Sequence, residues 1–405
     1  MSETQSRVQV AETGVARGGF ESVFDQELEA TLDLAAWSAG PDLETLYVRL
    51  AEEVGEALSQ QARVRDALRH EIIPALADYV PPDDRHLVRH GRVTVEQIER
   101  THRRLLFPGH VEAVDGTSVT HDTVALTVTS LGISAVSYLG DQGTWQQRLY
   151  RRDLRYRPKD VVEEARALLD ARSRRGAIDQ EQNPLSELAR RALMEWGERS
   201  VLLDGCRADW RMGHGTPATF QLLTGSGLMT YDPEPHLRLL PHFDRLLRRF
   251  VDEFRNWVFV ASEPSERLLL TLGHALEPLE YLIVGSMYER LRSIVERGRY
   301  GPTDSELATS LLNHIGPSIV VGVYRAAGAA PPHVFYAHES MAEEAAVIAI
   351  ADSTLQEHRG FPLLVDLADR VCKSYFDAQT FQDLVGVAYA ESGAPYMYQG
   401  ERRTR

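Results

Sequence analysis

Two aspartate-glycine pairs carry the clearest chemical signal in this chain, in Val111-Glu-Ala-Val-Asp115-Gly116-Thr-Ser118 and in Ser200-Val-Leu-Leu-Asp204-Gly205-Cys206. Each follows a short apolar run that reads as a strand. A carboxylate at the tip of a buried strand is held rigidly, and the glycine after it lets the chain turn away. Two such carboxylates far apart in sequence point to one site assembled by folding. Hard divalent cations, magnesium or manganese, take oxygen ligands of this kind. Two such ions about 4 Å apart can activate water, relieve charge on a phosphate and help an oxygen leave. The plain alternative is that both pairs are turns, since Asp-Gly is a favoured turn dipeptide.

The elements that must position these residues follow from the rest of the chain. Its 405 residues suffice for one large domain with an extension, or for two domains. Hydrophobic residues make up 43% and charged residues 25%, which excludes wholesale disorder. No run approaches ~18 apolar residues, so no membrane span is expected. The start, Met1–Gly18, has no apolar signal core. Cys206 and Cys372 are too few for a disulfide framework or a zinc module. A reduced cytoplasmic setting is the expectation.

Residues 1–105 read as an N-terminal helical extension, with a polar tail over 1–20. Leu43, Leu46, Leu50, Val54 and Leu58 mark an amphipathic helix. Thr94-Val-Glu-Gln97 is a capping box that opens another. Residues 106–405 read as the second domain. Val111–Val114, Val124–Thr129 and Ile133–Leu139 predict an antiparallel meander of short strands. A basic, helix-prone segment follows from Arg148 to Arg175. Asn183-Pro184 opens a helix with the stripe Leu185, Leu188, Ala192, Leu193 and Trp196, ended by Gly197. Later helices and strands alternate, so the class is α/β with a mixed sheet.

The net charge of −15 disfavours a generic polyanion binder. Basic residues nevertheless cluster, above all Arg148, Arg151, Arg152 and Arg155, with Trp145, Tyr150 and Tyr156 interleaved. Guanidinium groups and aromatic rings together neutralise phosphates and stack bases. The same pattern also fits a solvated face. No Walker-type phosphate loop is present, so ATP hydrolysis by this chain is not expected.

Four motifs in order resemble the NurA family, nucleases that work with HerA-type hexameric ATPases. They are Ala113-Val114-Asp115-Gly116-Thr117, the helical Leu185-Ser186-Glu187-Leu188, Leu202-Leu203-Asp204-Gly205-Cys206, and Gly360-Phe361-Pro362-Leu363-Leu364 followed by Leu367-Ala368-Asp369. The likeness runs over roughly residues 106–400. It departs at Phe361, Thr117, Cys206, Leu364 and Asp369, where many members carry tyrosine, serine, serine, proline and histidine. The resemblance implies a ribonuclease H-like fold, a homodimer, DNA as substrate, two Mn2+ or Mg2+ ions, and a HerA-like ATPase as partner. The setting would be DNA-end processing or defence against phage.

On that reading Asp115 bridges the ions, Asp204 and Glu187 bind from neighbouring elements, and Asp369 closes the ligand set. Arg148, Arg151, Arg152 and Arg155 contact DNA. Rivals stand beside each. Glu195 and Glu198 are nearer to Asp204 than Glu187 is. Asp369 stands one helical turn before Lys373 and can pair with it. Asp209 and His214 follow the second motif, and His338-Glu339 ends a late strand. The alternative function is a catalytically silent NurA-like adaptor or DNA-sensing subunit of an ATPase complex. A ribonuclease H-like enzyme acting on RNA or hybrid strands is a second alternative.

Overall fold

The structure, a computed structural model, describes residues 20–395 except 22, 25, 38–39, 41–42, 123–125, 153–161, 164, 167–186, 225–239, 263–266, 299 and 301. The chain divides into two compact units, Met1–Val64 and Arg65–Arg405. In the first, helix α1 (Leu43–Ala67) begins and runs across the boundary, and none of its residues is buried.

The second unit is built on one nine-stranded sheet. Its strands are β1 (Arg89–Arg92), β2 (Val111–Asp122), β3 (Leu126–Ser137), β4 (Gly140–Arg152), β5 (Trp210–His214), β6 (Trp257–Ala261), β7 (Glu280–Ser286), β8 (Ile319–Arg325) and β9 (His333–His338). Their order across the sheet is β1-β7-β8-β9-β6-β5-β2-β3-β4. β2, β5 and β6 are parallel, and every other pairing is antiparallel.

Helices cover both faces. α2 (Val95–Thr101), α3 (Glu187–Ser200) and α4 (Leu240–Asp252) are followed by α5 (Arg267–His274), α6 (Tyr288–Arg297) and α7 (Pro302–Ile315). α8 (Ala342–Ser353), α9 (Leu363–Tyr375) and α10 (Ala378–Glu391) complete the unit. Strand alternation sorts the core. Val111, Ala113, Met212 and Val258 pack with Ala346 of α8 and Leu364 of α9 on one face. Val114, Ile133 and Phe259 pack with Ala192 of α3, Phe250 of α4 and Leu311 of α7 on the other. This is the mixed sheet flanked by helices that the resemblance implied.

Several local expectations change. The runs Val124–Thr129 and Ile133–Leu139 belong largely to the single long strand β3. The segment from Arg148 starts as strand, because Arg148–Arg152 completes the hairpin register of β4 on β3. Arg155 and Asn183-Pro184 lie outside the described residues. Gly197 does not end α3. A Cβ there would meet Ile133 Cδ1 at 2.4 Å, so this glycine lets the helix lie close on β3. The segment 65–105, read as helical, contributes strand β1, which pairs with β7. The Thr94–Gln97 capping box is present, with reciprocal bonds of 3.2 and 2.8 Å. β5 carries no strong sequence signal and emerges only through its neighbours, whereas β7 does carry one, the apolar run Tyr281–Val284.

The start of α9 is tied to α8 by one buried side chain. Asp352 accepts the Leu364 N–H at 2.8 Å and the Tyr138 hydroxyl at 2.5 Å. Burial pushes its carboxyl up to about 6. The folded chain therefore holds this proton more tightly than the unfolded chain does. Stability contributed here is complete below about pH 4 and falls as pH rises to about 6, by up to ~3 kcal/mol. Urea unfolding of wild type and Asp352→Asn across that range tests this. The gap between them should move in favour of the variant as pH rises.

Candidate active site

β2 and β5 run side by side only as far as Val114 and Gly213. β5 ends one residue later, at His214, while β2 continues in its hairpin with β3. The two strands part at the carboxyl ends of the parallel strands, a usual place for a ligand in an α/β sheet. Asp115 is the first residue of β2 beyond the parting. It is buried, and its Oδ1 accepts the Gly116 N–H at 2.9 Å. His214 Nδ1 lies 3.7 Å from Asp115 Oδ1, and its Nε2 is 2.8 Å from Ser262 Oγ, just past β6.

Glu198 reaches the same place from the last turn of α3. Its Oε1 lies 2.5 Å from where a Cβ on Gly116 would stand, so only glycine leaves room for it. Glu198 Oε2 accepts from Arg199 Nη1 at 2.6 Å. Arg199 is itself only 1% exposed. It also donates to the carbonyls of Glu195, Thr216 and Pro217, at 3.1, 2.5 and 3.2 Å. One guanidinium thus ties the carboxylate to the loop that follows His214.

The fourth member comes from α9, on the face of Asp115. Asp369 Oδ2 accepts from Lys373 Nζ at 2.8 Å, the one-turn pair that the spacing allowed. Charges couple the group. Burial raises the Glu198 carboxyl well above its ordinary value against the pull of Arg199, and the charges of Asp115 and Glu195 raise it further. Burial opposes protonation of His214, but the adjacent Asp115 carboxylate and the charges of Glu198 and Asp369 raise it overall. The bond to Asp369 raises Lys373, and Asp115 adds to the effect. Cys372, buried beneath, is pushed up to about 12, first by burial and then by Asp115, Glu198 and Asp369.

The structure therefore brings Asp115 and Asp369 into one neighbourhood and adds Glu198 and His214. It does not bring Asp204 there. Val201–Gly205 is a helical turn and not the expected strand, because the chain carries on winding out of α3. Asp204 is exposed and paired with Arg249 of α4 at 2.9 Å. The carbonyls of Leu203 and Cys206 accept from Arg211, three residues before His214 on β5. The turn thus sits toward the far end of that strand, ~10 Å along it.

Glu187 begins α3 three turns before Glu198, ~16 Å along the axis. Its side chain lies outside the described residues. Asp209 is bound to His110 at 2.9 Å near the start of β5. His338 caps the turn after β9, and burial holds it down at about 4. Arg148 is exposed on the edge strand β4, while the side chains of Arg151 and Arg152 lie outside the described residues. The signal that separates Glu198 from Glu187 is the dipeptide Glu198-Arg199, a charge with a built-in partner inside an apolar turn.

The divalent metal that the resemblance implies fits these donors in type, since carboxylates with one imidazole suit magnesium or manganese. Three acidic groups with only partial compensation also form a place where added positive charge is favourable. As placed, however, no three His, Cys, Asp or Glu side chains among the described residues stand close enough to hold an ion together.

No protein-family model matches the chain. No curated protein matches it either. Solved structures do. It is similar to the NurA nuclease from Sulfolobus solfataricus, at 14% identity over 85% of this chain and 98% of that one, with a TM-score of 0.41. It is also similar to a NurA bound to dAMP and manganese, at 8% identity over 81% and 93%, with a TM-score of 0.39. Endonuclease V of Ciona intestinalis, solved with an inosine-containing DNA, matches at 12% identity over 80% and 98%, with a TM-score of 0.27. NurA structures thus stand among those this fold is similar to.

Arg199→Met removes the partner of a buried carboxylate and the donor to two loop carbonyls. It should cost about 3–5 kcal/mol in denaturant unfolding. Adding Glu198→Leu should recover part of that loss, since no buried charge is then left unpaired.

Proposed function

We propose that this chain is a metal-dependent DNA nuclease, hydrolysing phosphodiester bonds at the parting of β2 and β5. The observation that carries the reading is that Asp115, Glu198 and Asp369, from three separate elements, lie near enough for their charges to act on His214. Asp115 and Glu198 would hold Mn2+ or Mg2+, and Asp369 would join them on leaving Lys373. Bound there, the metal would supply Lewis acidity toward the phosphate and a more acidic water. Asp115 is held by its own neighbouring N–H, and Arg199 fixes the aim of Glu198. His214, its proton favoured by three acids, stands where it can hold or pass a proton. The Arg148–Arg155 segment would carry the DNA backbone, with a HerA-like hexameric ATPase feeding the strand and a second copy completing the assembly. DNA-end processing or phage defence is the setting of this reading.

A specific observation favours a second reading, the silent adaptor. Lys373 already neutralises Asp369, and no three donors among the described residues are gathered. Digestion of labelled linear DNA with Mn2+, with and without a HerA-type ATPase, separates the two. The nuclease reading expects metal-dependent cleavage. It also expects losses above ~100-fold for Asp115→Asn and Glu198→Gln, because even outer partners of a metal site are worth 10–100-fold. Inertness in every mixture, with or without metal, would leave the adaptor. Lys373→Ala should tighten Mn2+ binding several-fold in calorimetry, since it frees the Asp369 carboxylate.

A further inference from the structure

An imidazole, unlike a carboxylate, has to be aimed. A carboxylate turned over presents an equivalent oxygen, whereas a turned imidazole carries its nitrogens elsewhere. The backbone of His214 is fixed. It stands opposite Val260 of β6, and the next residue, Gly215, donates its N–H to the Val260 carbonyl at 2.9 Å. Gly215 then takes φ 81°, which glycine allows, and the chain leaves the sheet. The ring is held separately. Its Nδ1 lies 3.7 Å from Asp115 Oδ1, too far for a good hydrogen bond. The Phe361 ring meets it edge-on, with centroids 5.9 Å apart, and Phe361 is buried and packed in turn against His333. The close hydrogen bond of the imidazole among the described residues is the one between Nε2 and Ser262 Oγ, at 2.8 Å.

We propose that Ser262 is a positioning residue that aims His214, keeping Nδ1 toward Asp115. The inference deepens the nuclease reading and rests on it for its catalytic consequence. Ser262 stands one residue past the end of β6, the parallel neighbour of β5. Three adjacent parallel strands thus bring Asp115, His214 and Ser262 together at their carboxyl ends. Residue type fits the task. A hydroxyl can donate or accept, so the contact holds whether or not Nε2 carries a hydrogen. A carboxylate there could only accept, and would add a fourth negative charge beside Asp115, Glu198 and Asp369. An ammonium could only donate. Ser262 is exposed, so filling the core is not its role. Phe361 supplies a wall for the ring but no polar atom to choose between its nitrogens, and Ser262 makes that choice.

The test compares the full-length wild type with Ser262→Ala and Ser262→Thr. On labelled DNA with Mn2+, Ser262→Ala should lower kcat by ~10–100-fold at unchanged KM, the usual worth of a partner that orients a group at a metal site. Ser262→Thr keeps the hydroxyl and should recover most of that loss. NMR of histidine-labelled protein, without metal or DNA, reads the ring directly. The His214 signal is identified by its loss in His214→Gln, and its shift carries the ring current of Phe361. It should move in Ser262→Ala and return in Ser262→Thr. Wild-type kcat in Ser262→Ala, a change confined to KM, or a His214 signal indifferent to the hydroxyl would overturn the proposal. A wild type that cuts no DNA would sink the nuclease reading instead, and the NMR comparison would then decide the orienting role by itself.

Discussion

Negative charge gathered in a poorly hydrated place is the constraint around which this molecule is arranged. Asp115 acts on Glu198, and Asp369 joins both in acting on His214. Unit charges a few ångströms apart interact by several kcal/mol when water is excluded. The fold answers with three cations of different character. Arg199 is buried and permanent, Lys373 sits at the half-open edge, and His214 becomes basic because its neighbours are acidic. None of the three satisfies the whole group.

Backbone features hold the arrangement in place. β2 loses its parallel neighbour just before Asp115 and from there is paired with β3 alone. Gly116 has no side chain to keep Glu198 away. Gly197 lets α3 settle against Ile133, which sets the height at which Glu198 arrives. On the other face, Asp352 caps the first turn of α9 and anchors it to Tyr138 at the end of the β3 hairpin. Asp369 and Lys373 are therefore positioned through a buried polar contact, and such contacts are costly to break once formed.

Much of this was legible in the residues. Asp115-Gly116 marked a carboxylate on a strand, although β2 runs on through both residues to Asp122 and the glycine does not turn the chain away; the Asp369–Lys373 spacing foretold their pair. Thr94–Gln97 predicted its own helix start, and the stripe Leu43, Leu46, Leu50, Val54 and Leu58 predicted helix α1. Other features were not legible. Leu202-Leu203-Asp204-Gly205 has the composition of a strand end, yet α3 winds on through it and Asp204 turns to Arg249. Local propensity cannot tell these outcomes apart, because a short apolar run serves a buried helix turn as well as a buried strand. Glu198 was only a rival to Glu187, since both lie on one helix and periodicity does not reveal which turn faces the sheet.

Sequence alone determined the mixed α/β class, the aspartate on β2, the amphipathic seam of α1 and the lack of any long apolar span. These depend on side-chain periodicity and on contacts a few residues apart. Only the tertiary structure decided that α3 delivers Glu198 to Gly116, that β5 places His214 beside Asp115, and that the second Asp-Gly stands elsewhere. Those outcomes depend on which strands become neighbours and where their pairing stops. Long-range packing sets both, and no local pattern encodes them.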